Sequence, residues 1–196
     1  MKEPEVSVVV ATYNRCEILP GTLESLINQE GETAYEVIVV DNNSTDDTRN
    51  VIDKLRAQPG YDKLTYYFEE KQGVSHARNK GIAAARASII AFTDDDIRPA
   101  RNWVASISEA FKRFPEADCI GGRVLPESLT KFPAWLTDKY WTPLALLDLG
   151  DQPLKLNVHK GAGLVAANLA VRASVFKDVG LFHPQLQRVK DSVGSM

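Results

Sequence analysis

Cysteine is scarce in this chain: 196 residues contain two, Cys16 and Cys119. They are too far apart in sequence to suggest a disulfide framework or a zinc cage. Both are expected to be reduced packing residues, which fits a cytoplasmic compartment. Histidine is equally sparse, and His76, His159 and His183 form no metal-binding spacing. Basic excess is missing: 23 Lys and Arg stand against 26 Asp and Glu, for a net charge of -3, which argues against nucleic acid as the main partner. No stretch approaches the ~20 apolar residues of a membrane span. The opening Met1-Lys2-Glu3-Pro4-Glu5 runs straight into β-branched residues, without the apolar core of a signal peptide. Several nucleotide and hydrolase signatures are absent as well. There is no Gly-x-Gly-x-x-Gly, no Gly-x-x-x-x-Gly-Lys-Ser/Thr and no Gly-x-Ser-x-Gly. A phosphoaspartate hydrolase or receiver domain would carry carboxylates directly after the first strand, where this chain has Thr12 and Tyr13.

What is present is an alternation of strand and helix patterns. Val6-Ser7-Val8-Val9-Val10 is a β-branched run suited to a strand buried on both faces, and Ile18, Leu19, Leu23, Leu26 and Ile27 recur at helical spacing. Val37-Ile38-Val39-Val40 predicts a second strand, and Ser44-Thr45-Asp46-Asp47 caps a helix carrying Val51, Ile52 and Leu55. A third strand is expected over 64–68 and a helix over 73–86, with Ser75 as its cap. A fourth strand over 88–92, a helix through Trp103, Ile107, Ala110 and Phe111, and a short strand at Cys119-Ile120 complete the pattern. The fold class this predicts is α/β, a Rossmann-like, mainly parallel sheet with helices on both faces. Over 123–160 the pattern breaks, with Pro126, Pro133, Pro143 and Pro153 around Trp135, Tyr140 and Trp141. This stretch reads either as a cover over one rim of the sheet, near a lipid or glycan, or as a hydrophobic brace. Strand composition returns over 164–171, and a short helix over 173–179 is stopped by Gly180.

The polar clusters fall after the strands. Ala11-Thr12-Tyr13-Asn14-Arg15 follows the first strand, Asp41-Asn42-Asn43-Ser44 the second, Gln72-Gly73-Val74-Ser75-His76-Ala77-Arg78 the third, and Asp94-Asp95-Asp96 the fourth. In a parallel sheet all four lie on the carboxyl edge, where open α/β sheets bind ligands. Three adjacent carboxylates at a strand tip could be a polar turn with a helix cap. Their mutual repulsion, and their placement among three other clusters, favour a hard cation such as Mg²⁺ or Mn²⁺ that takes further ligands from phosphates. Thr12, Tyr13 and Asn14 offer hydroxyls, an aromatic face and free backbone amides. Asp41 can accept from a base or a ribose, the capping role falling to Ser44 or Asp46. Arg78, early in its helix, suits an anion, and His76 reads as a rim or packing residue.

Taken in order, the segments 6–15 and 37–46, Ala77-Arg78-Asn79-Lys80-Gly81, Phe92-Thr93-Asp94-Asp95-Asp96 and Gly180-Leu181-Phe182 resemble the family 2 inverting glycosyltransferases of the GT-A fold, over nearly the whole chain. The resemblance implies a nucleoside-diphosphate sugar donor, with a UDP-sugar the expected case, bound with Mg²⁺ or Mn²⁺. Ala11, Thr12, Tyr13, Asn14, Asp41, Arg78 and Asp94 match donor-binding positions, and Asp95 and Asp96 match the metal-binding Asp-x-Asp region. Two registers are open there: one makes Asp95 the principal ligand and puts Thr93 at the first Asp position, and the other uses Asp94 and Asp96. The first is favoured. Asn168 matches the acceptor-side wall. The chain is thus expected to be one domain over 1–196, with a nucleotide-sugar half over 1–122 and the start of an acceptor half over 123–196.

One departure from the family pattern matters. The family's general base is usually a carboxylate in a Glu-Asp pair shortly after the Leu-Phe segment, and no such pair follows here. Asp178 and Asp191 lie outside that motif. The expectation is that the base lies beyond Met196, so that donor binding outlives transfer. Two other classes remain. One is a noncatalytic nucleotide-sugar-binding or interaction module. The other is a nucleotidyltransferase, which the absence of a Gly-rich triphosphate loop disfavours. A glycan or lipid-linked acceptor, polysaccharide synthesis, and a cytoplasmic site at the inner face of a membrane are what the resemblance implies for partners and location.

Overall fold

The β-branched runs become strands because their side chains pack on both faces of a pleated surface, alternating between two apolar layers. The computed structural model describes residues 2–127, 137, 141, 144–156 and 163–186. In chain order the elements are β1 Val6–Thr12, α1 Leu19–Ile27, β2 Tyr35–Asp41, α2 Thr48–Arg56, β3 Leu64–Phe68, α3 Val74–Ala84, β4 Ile89–Asp94, α4 Trp103–Arg113, β5 Cys119–Gly121, β6 Leu169–Arg172 and α5 Val175–Asp178. The sheet order is β3-β2-β1-β4-β6-β5. The first four strands pair in parallel, whereas β6 pairs antiparallel with both β4 and β5. The sheet is therefore mixed and mainly parallel, as the alternation implies.

Val6, Val8, Val10, Val37 and Val39 pack with Leu19, Leu23 and Leu26 of α1, Ile52 of α2 and the apolar side of α4. Val9, Ile38, Val40, Ile90 and Phe92 face the other layer, with Ala77 of α3 and Phe176 of α5. Each such Val or Leu is worth about 1.5–3 kcal/mol when fully buried. Close contact between the layers needs a glycine: a Cβ on Gly81 of α3 would lie 2.3 Å from Val9 Cγ1. At the amino edge of the sheet, Glu36 is 4% exposed and accepts from Ser7 Oγ at 2.7 Å, from the Arg86 backbone N at 2.9 Å and from Arg86 Nε at 2.8 Å.

Three expectations change. Ser75 is buried inside α3, and Gly73, with φ of 133°, holds the cap position without a side-chain cap bond. The apolar stretch 164–171 is only partly strand, because Ala166–Asn168 forms a 3-10 turn before β6. Cys119 is exposed and Cys16 half-buried, both as free thiols, so neither is a core packing residue. Within the stretch 123–160, Val124 bridges to Leu147, and Arg123 holds Asp148 at 2.7 Å and Asp151 at 2.6 Å. Trp135 and Tyr140 lie outside the described residues.

Candidate functional site at the carboxyl edge of the sheet

Parallel pairing of β1 with β2 and β4 brings Thr12 beside Asp41 and Ala11 beside Asp94. The turns that follow these strands are then tied together. Asn14, with φ of 52°, donates its backbone N–H to Ser44 Oγ at 2.9 Å, and its side-chain oxygen accepts from Thr45 N at 2.7 Å. The Arg15 backbone N–H reaches Thr48 Oγ1 at 3.3 Å, and that of Cys16 reaches Asp46 Oδ2 at 3.1 Å. These three amides are therefore occupied by Ser44, Asp46 and Thr48, at and just before the start of α2, so the expectation of a free backbone donor does not hold for Asn14. Burial pushes the Asp46 carboxyl up, but hydrogen bonds from Thr48 and Cys16 outweigh it and bring it down to about 2. The β2 and β3 loops are joined by Asn42, which accepts from Gly73 N at 2.6 Å and donates to Lys71 O at 2.7 Å.

Asp41 is 2% exposed, and its oxygens accept from Ser44 N at 2.9 Å and Tyr66 hydroxyl at 3.1 Å. It thus serves the turn itself, a role the sequence assigns to Ser44 or Asp46. Each oxygen keeps further acceptor capacity along a fixed direction. Tyr66 is a supporting residue not singled out in the sequence. Its signal was its diagonal position relative to Asp41 across the β2–β3 register, in which Asp41 pairs with Phe68.

The aspartates separate where the strand gives way to a turn, Asp94 being the last residue of β4 and Asp95 and Asp96 lying in the turn beyond it. Asp94 Oδ1 lies 3.4 Å from Arg78 Nη2, on the α3 side. Asp95 is 9% exposed and turns the other way: its Oδ2 accepts from Thr12 Oγ1 at 2.7 Å, its Oδ1 lies 4.0 Å from Arg15 Nε, and its backbone oxygen accepts from Thr22 Oγ1 at 2.8 Å. Asp96 is exposed. Burial pushes both the Asp94 and the Asp95 carboxyls up, opposed by Arg78 for Asp94 and by Thr12 and Arg15 for Asp95, with Asp96 adding like-charge repulsion to each. Among the described residues, no three His, Cys, Asp or Glu side chains are grouped as a ready-made metal cage. The all-oxygen donor set instead fits a hard divalent ion that takes one or two carboxylates here and its remaining ligands from a diphosphate. The Thr93 hydroxyl, buried behind this tip, has no hydrogen-bond partner among the described residues.

The remaining site residues divide. Ala11 and Tyr13 are half-buried, at the end of β1 and just beyond it. Asn168 lies away from the aspartates' contacts: its side chain accepts from Trp103 Nε1 at 2.9 Å and donates to Arg123 O at 2.8 Å, bracing α4 to the chain leaving β5. Phe182 docks on α3, its backbone exchanging hydrogen bonds with the Asn79 side chain at 2.8 and 3.0 Å and its ring edge-on to Phe92. Arg78 lies 5.7 Å from that ring. Asp178 is exposed on α5, and Asp191 lies outside the described residues. A further cavity of about 490 Å³ is lined by Phe68, Glu69, Glu70 and Lys71, at and after the end of β3, and by His76, Asn79 and Lys80 of α3.

The family profile described as "Glycosyl transferase family 2" matches residues 7–180. The chain belongs to this family. It is 27% identical over 192 residues to a glucosyl-dolichyl phosphate glucuronosyltransferase of Haloferax volcanii, covering 95% of this chain and 58% of that relative. Glycosyltransferase AglE of the same organism is 32% identical over 185 residues, covering 91% and 56%. Among solved structures, the mannosyltransferase PcManGT of Pyrobaculum calidifontis, in complex with GDP-Man and Mn²⁺, superposes with a TM-score of 0.66 at 22% identity, covering 94% of this chain and 49% of that one. S. aureus TarS 1-349 in complex with UDP gives a TM-score of 0.66 at 22% identity, covering 94% and 52%. The fold of this glycosyltransferase family 2 chain is GT-A type. The chain spans about half the length of the relatives it matches.

Proposed function

We propose that this family 2 chain carries the donor site of a metal-dependent, inverting glycosyltransferase that uses a UDP-sugar. The observation that carries the reading is that Thr12, Asp41, Arg78, Asp94 and Asp95, from four separate segments, reach one sheet edge through the contacts described above. Thr12, Tyr13 and Asp41 would hold the nucleoside, with Asp41 pre-aimed by Ser44 and Tyr66. Arg78 and Asp94 would bracket the diphosphate and the sugar. Asp95, with Asp96, would hold Mg²⁺ or Mn²⁺, which when bound offsets charge developing on the leaving diphosphate. In an inverting displacement the acceptor hydroxyl attacks the anomeric carbon opposite that diphosphate and loses its proton to a base. This reading assigns the base to neither Asp178 nor Asp191. It assigns 1–122 to the donor half and 123–196 to the beginning of the acceptor half.

The names of two relatives, the dolichyl phosphate enzyme and a Campylobacter jejuni glucosyltransferase acting on an undecaprenol-linked glycan, support a lipid-linked glycan acceptor. Such an acceptor places the work at a membrane surface, for which we propose the cytoplasmic face. No helix among the described residues is long and apolar enough to cross a membrane, so the proposed contact is peripheral or made by other residues.

Calorimetric titration of UDP with Mn²⁺, with Mg²⁺ and with chelator, repeated on Asp95→Ala, tests the donor site. We expect binding that needs the metal and is lost in the variant. Absence of UDP binding under every condition, with GDP binding in its place, would move the donor to the guanosine series. Metal-independent binding unaffected by Asp95→Ala would overturn the metal assignment.

A further inference from the structure

Both carboxylate oxygens of Asp95 already face a partner, but the two partners are held differently. Thr12 is buried and makes a 2.7 Å hydrogen bond. Arg15 stands 4.0 Å away, and its side chain is 45% exposed against 13% for that of Asp95. Its backbone, in contrast, is fixed, since the amides of Asn14, Arg15 and Cys16 are bonded to Ser44, Thr48 and Asp46. Arg15 is thus a long cationic arm on an anchored base, close enough to offset the charge of Asp95 and loose enough to leave it. Thr22 and Arg98 do not substitute for it among the described contacts, since Thr22 binds the Asp95 backbone oxygen and Arg98 donates to the Thr22 hydroxyl.

We propose that Arg15 is a positioning residue that competes with the divalent ion for Asp95 and is released to a donor diphosphate, so that ion and diphosphate strengthen each other's binding. An ion approaching Asp95 Oδ1 meets the guanidinium at close range and must displace it. The displaced guanidinium, with its planar fork of donors, suits a phosphate, and the diphosphate that completes the ion's ligand set brings phosphate oxygens to the same edge. Because Asp94 turns to Arg78 on the other side of the sheet, the exchange at Asp95 belongs to Arg15. Coupling of this kind is reciprocal: whatever factor the diphosphate adds to ion affinity, the ion adds to diphosphate affinity.

The inference rests on the donor-site reading above, and the test separates the two. Mn²⁺ binding is followed by the electron paramagnetic resonance signal of the free ion, without nucleotide and with UDP or UMP. The proteins are the parent chain, Arg15→Gln, Arg15→Met, Arg15→Lys, and Arg101→Gln, which removes only an exposed pair with Glu30. We expect Arg15→Gln and Arg15→Met to bind Mn²⁺ about tenfold more tightly without nucleotide. Their enhancement by UDP should shrink by a similar factor, with Arg15→Lys and Arg101→Gln behaving as the parent and UMP giving little enhancement in any protein. Unchanged or weaker nucleotide-free Mn²⁺ binding in both neutral variants overturns the inference even where UDP binds the parent normally. Gain of Mn²⁺ affinity in those variants, with no UDP binding by the parent, upholds the competition and overturns the UDP reading. No Mn²⁺ binding by any of the proteins overturns both.

Discussion

Gly81 shows how a residue with no side chain can govern a site it never touches. Its place in α3, against Val9 of β1, sets how closely that helix lies on the sheet, and α3 carries Arg78. Gly81→Ala gains helix propensity of up to ~1 kcal/mol, but it drives a methyl into a fully buried valine, and overpacking of that kind costs about 1–3 kcal/mol. We expect net destabilisation, read as a lower urea midpoint with unchanged slope. An equal or higher midpoint would show that Val9 simply turns aside. That the chemistry-bearing residues would gather at one sheet edge was largely legible in the sequence, because carboxylates and arginines after apolar strands are conspicuous. Their partners were less so. Tyr66 looked like an ordinary strand aromatic, and Arg15 stood unnoticed within a motif, since which carboxylate an arginine meets depends on where β4 gives way to its turn and on the course of the loop after β1.

At the level of elements, β3 could be read to the residue, and β1 and β2 in place but one or two residues short at their ends, because β-branched and aromatic runs bounded by turn residues have one reasonable interpretation. The chain before β6 could not, because Ala and Val serve a 3-10 turn as readily as a strand, and only pairing with β4 decides where the strand begins. The cap of α3 was misplaced for a related reason: the amide of Gly73 is held by Asn42 from a different loop, which no local pattern reports. Asn42 is 5% exposed and bridges the loops after β2 and β3. Replacing it with alanine should cost about 1–3 kcal/mol for the stranded partners. It should also speed hydrogen exchange at the Gly73 amide while leaving the β1 amides protected. Unchanged exchange at Gly73 would mean that the loop is held by other contacts.

Across the whole molecule, two sets of carboxyls respond to acid in opposite senses. At the amino edge, burial pushes the Glu36 carboxyl up, but hydrogen bonds from Arg86 and Ser7 outweigh it and leave it below its ordinary 4.5. Asp46 is likewise depressed, from 3.8 to about 2. In both cases the unfolded chain takes up protons first, so the stability they supply is complete above the ordinary values and is lost as pH falls below them. Asp94 and Asp95 are raised above 3.8, chiefly by burial. For them the folded chain protonates first, so stability increases as pH falls toward 3.8. Urea unfolding of the metal-free protein should therefore show a shallow gain in mildly acidic solution followed by a loss below about pH 4.5. Asp94→Asn should reduce the gain. Glu36→Gln should lower stability at pH 7 by about 1–3 kcal/mol and flatten the acid loss. A strictly monotonic profile in the parent, identical in Asp94→Asn, would contradict the raised carboxyls at the acidic tip.

The antiparallel strand β6 has a consequence for how such a chain can change over time. Gly121, at the end of β5, pairs directly with Leu169, at the start of β6. The chain therefore departs from the sheet at Gly121 and re-enters it beside that point, at Leu169. A connection anchored in this way can be lengthened cheaply, since each doubling of a flexible segment adds only about 0.6 kcal/mol of closure entropy. The four parallel strands and the turns that hold Asp41, Asp94 and Asp95 are outside that excursion. Insertions there can lengthen the connection between β5 and β6 while leaving the carboxyl edge of the parallel strands intact.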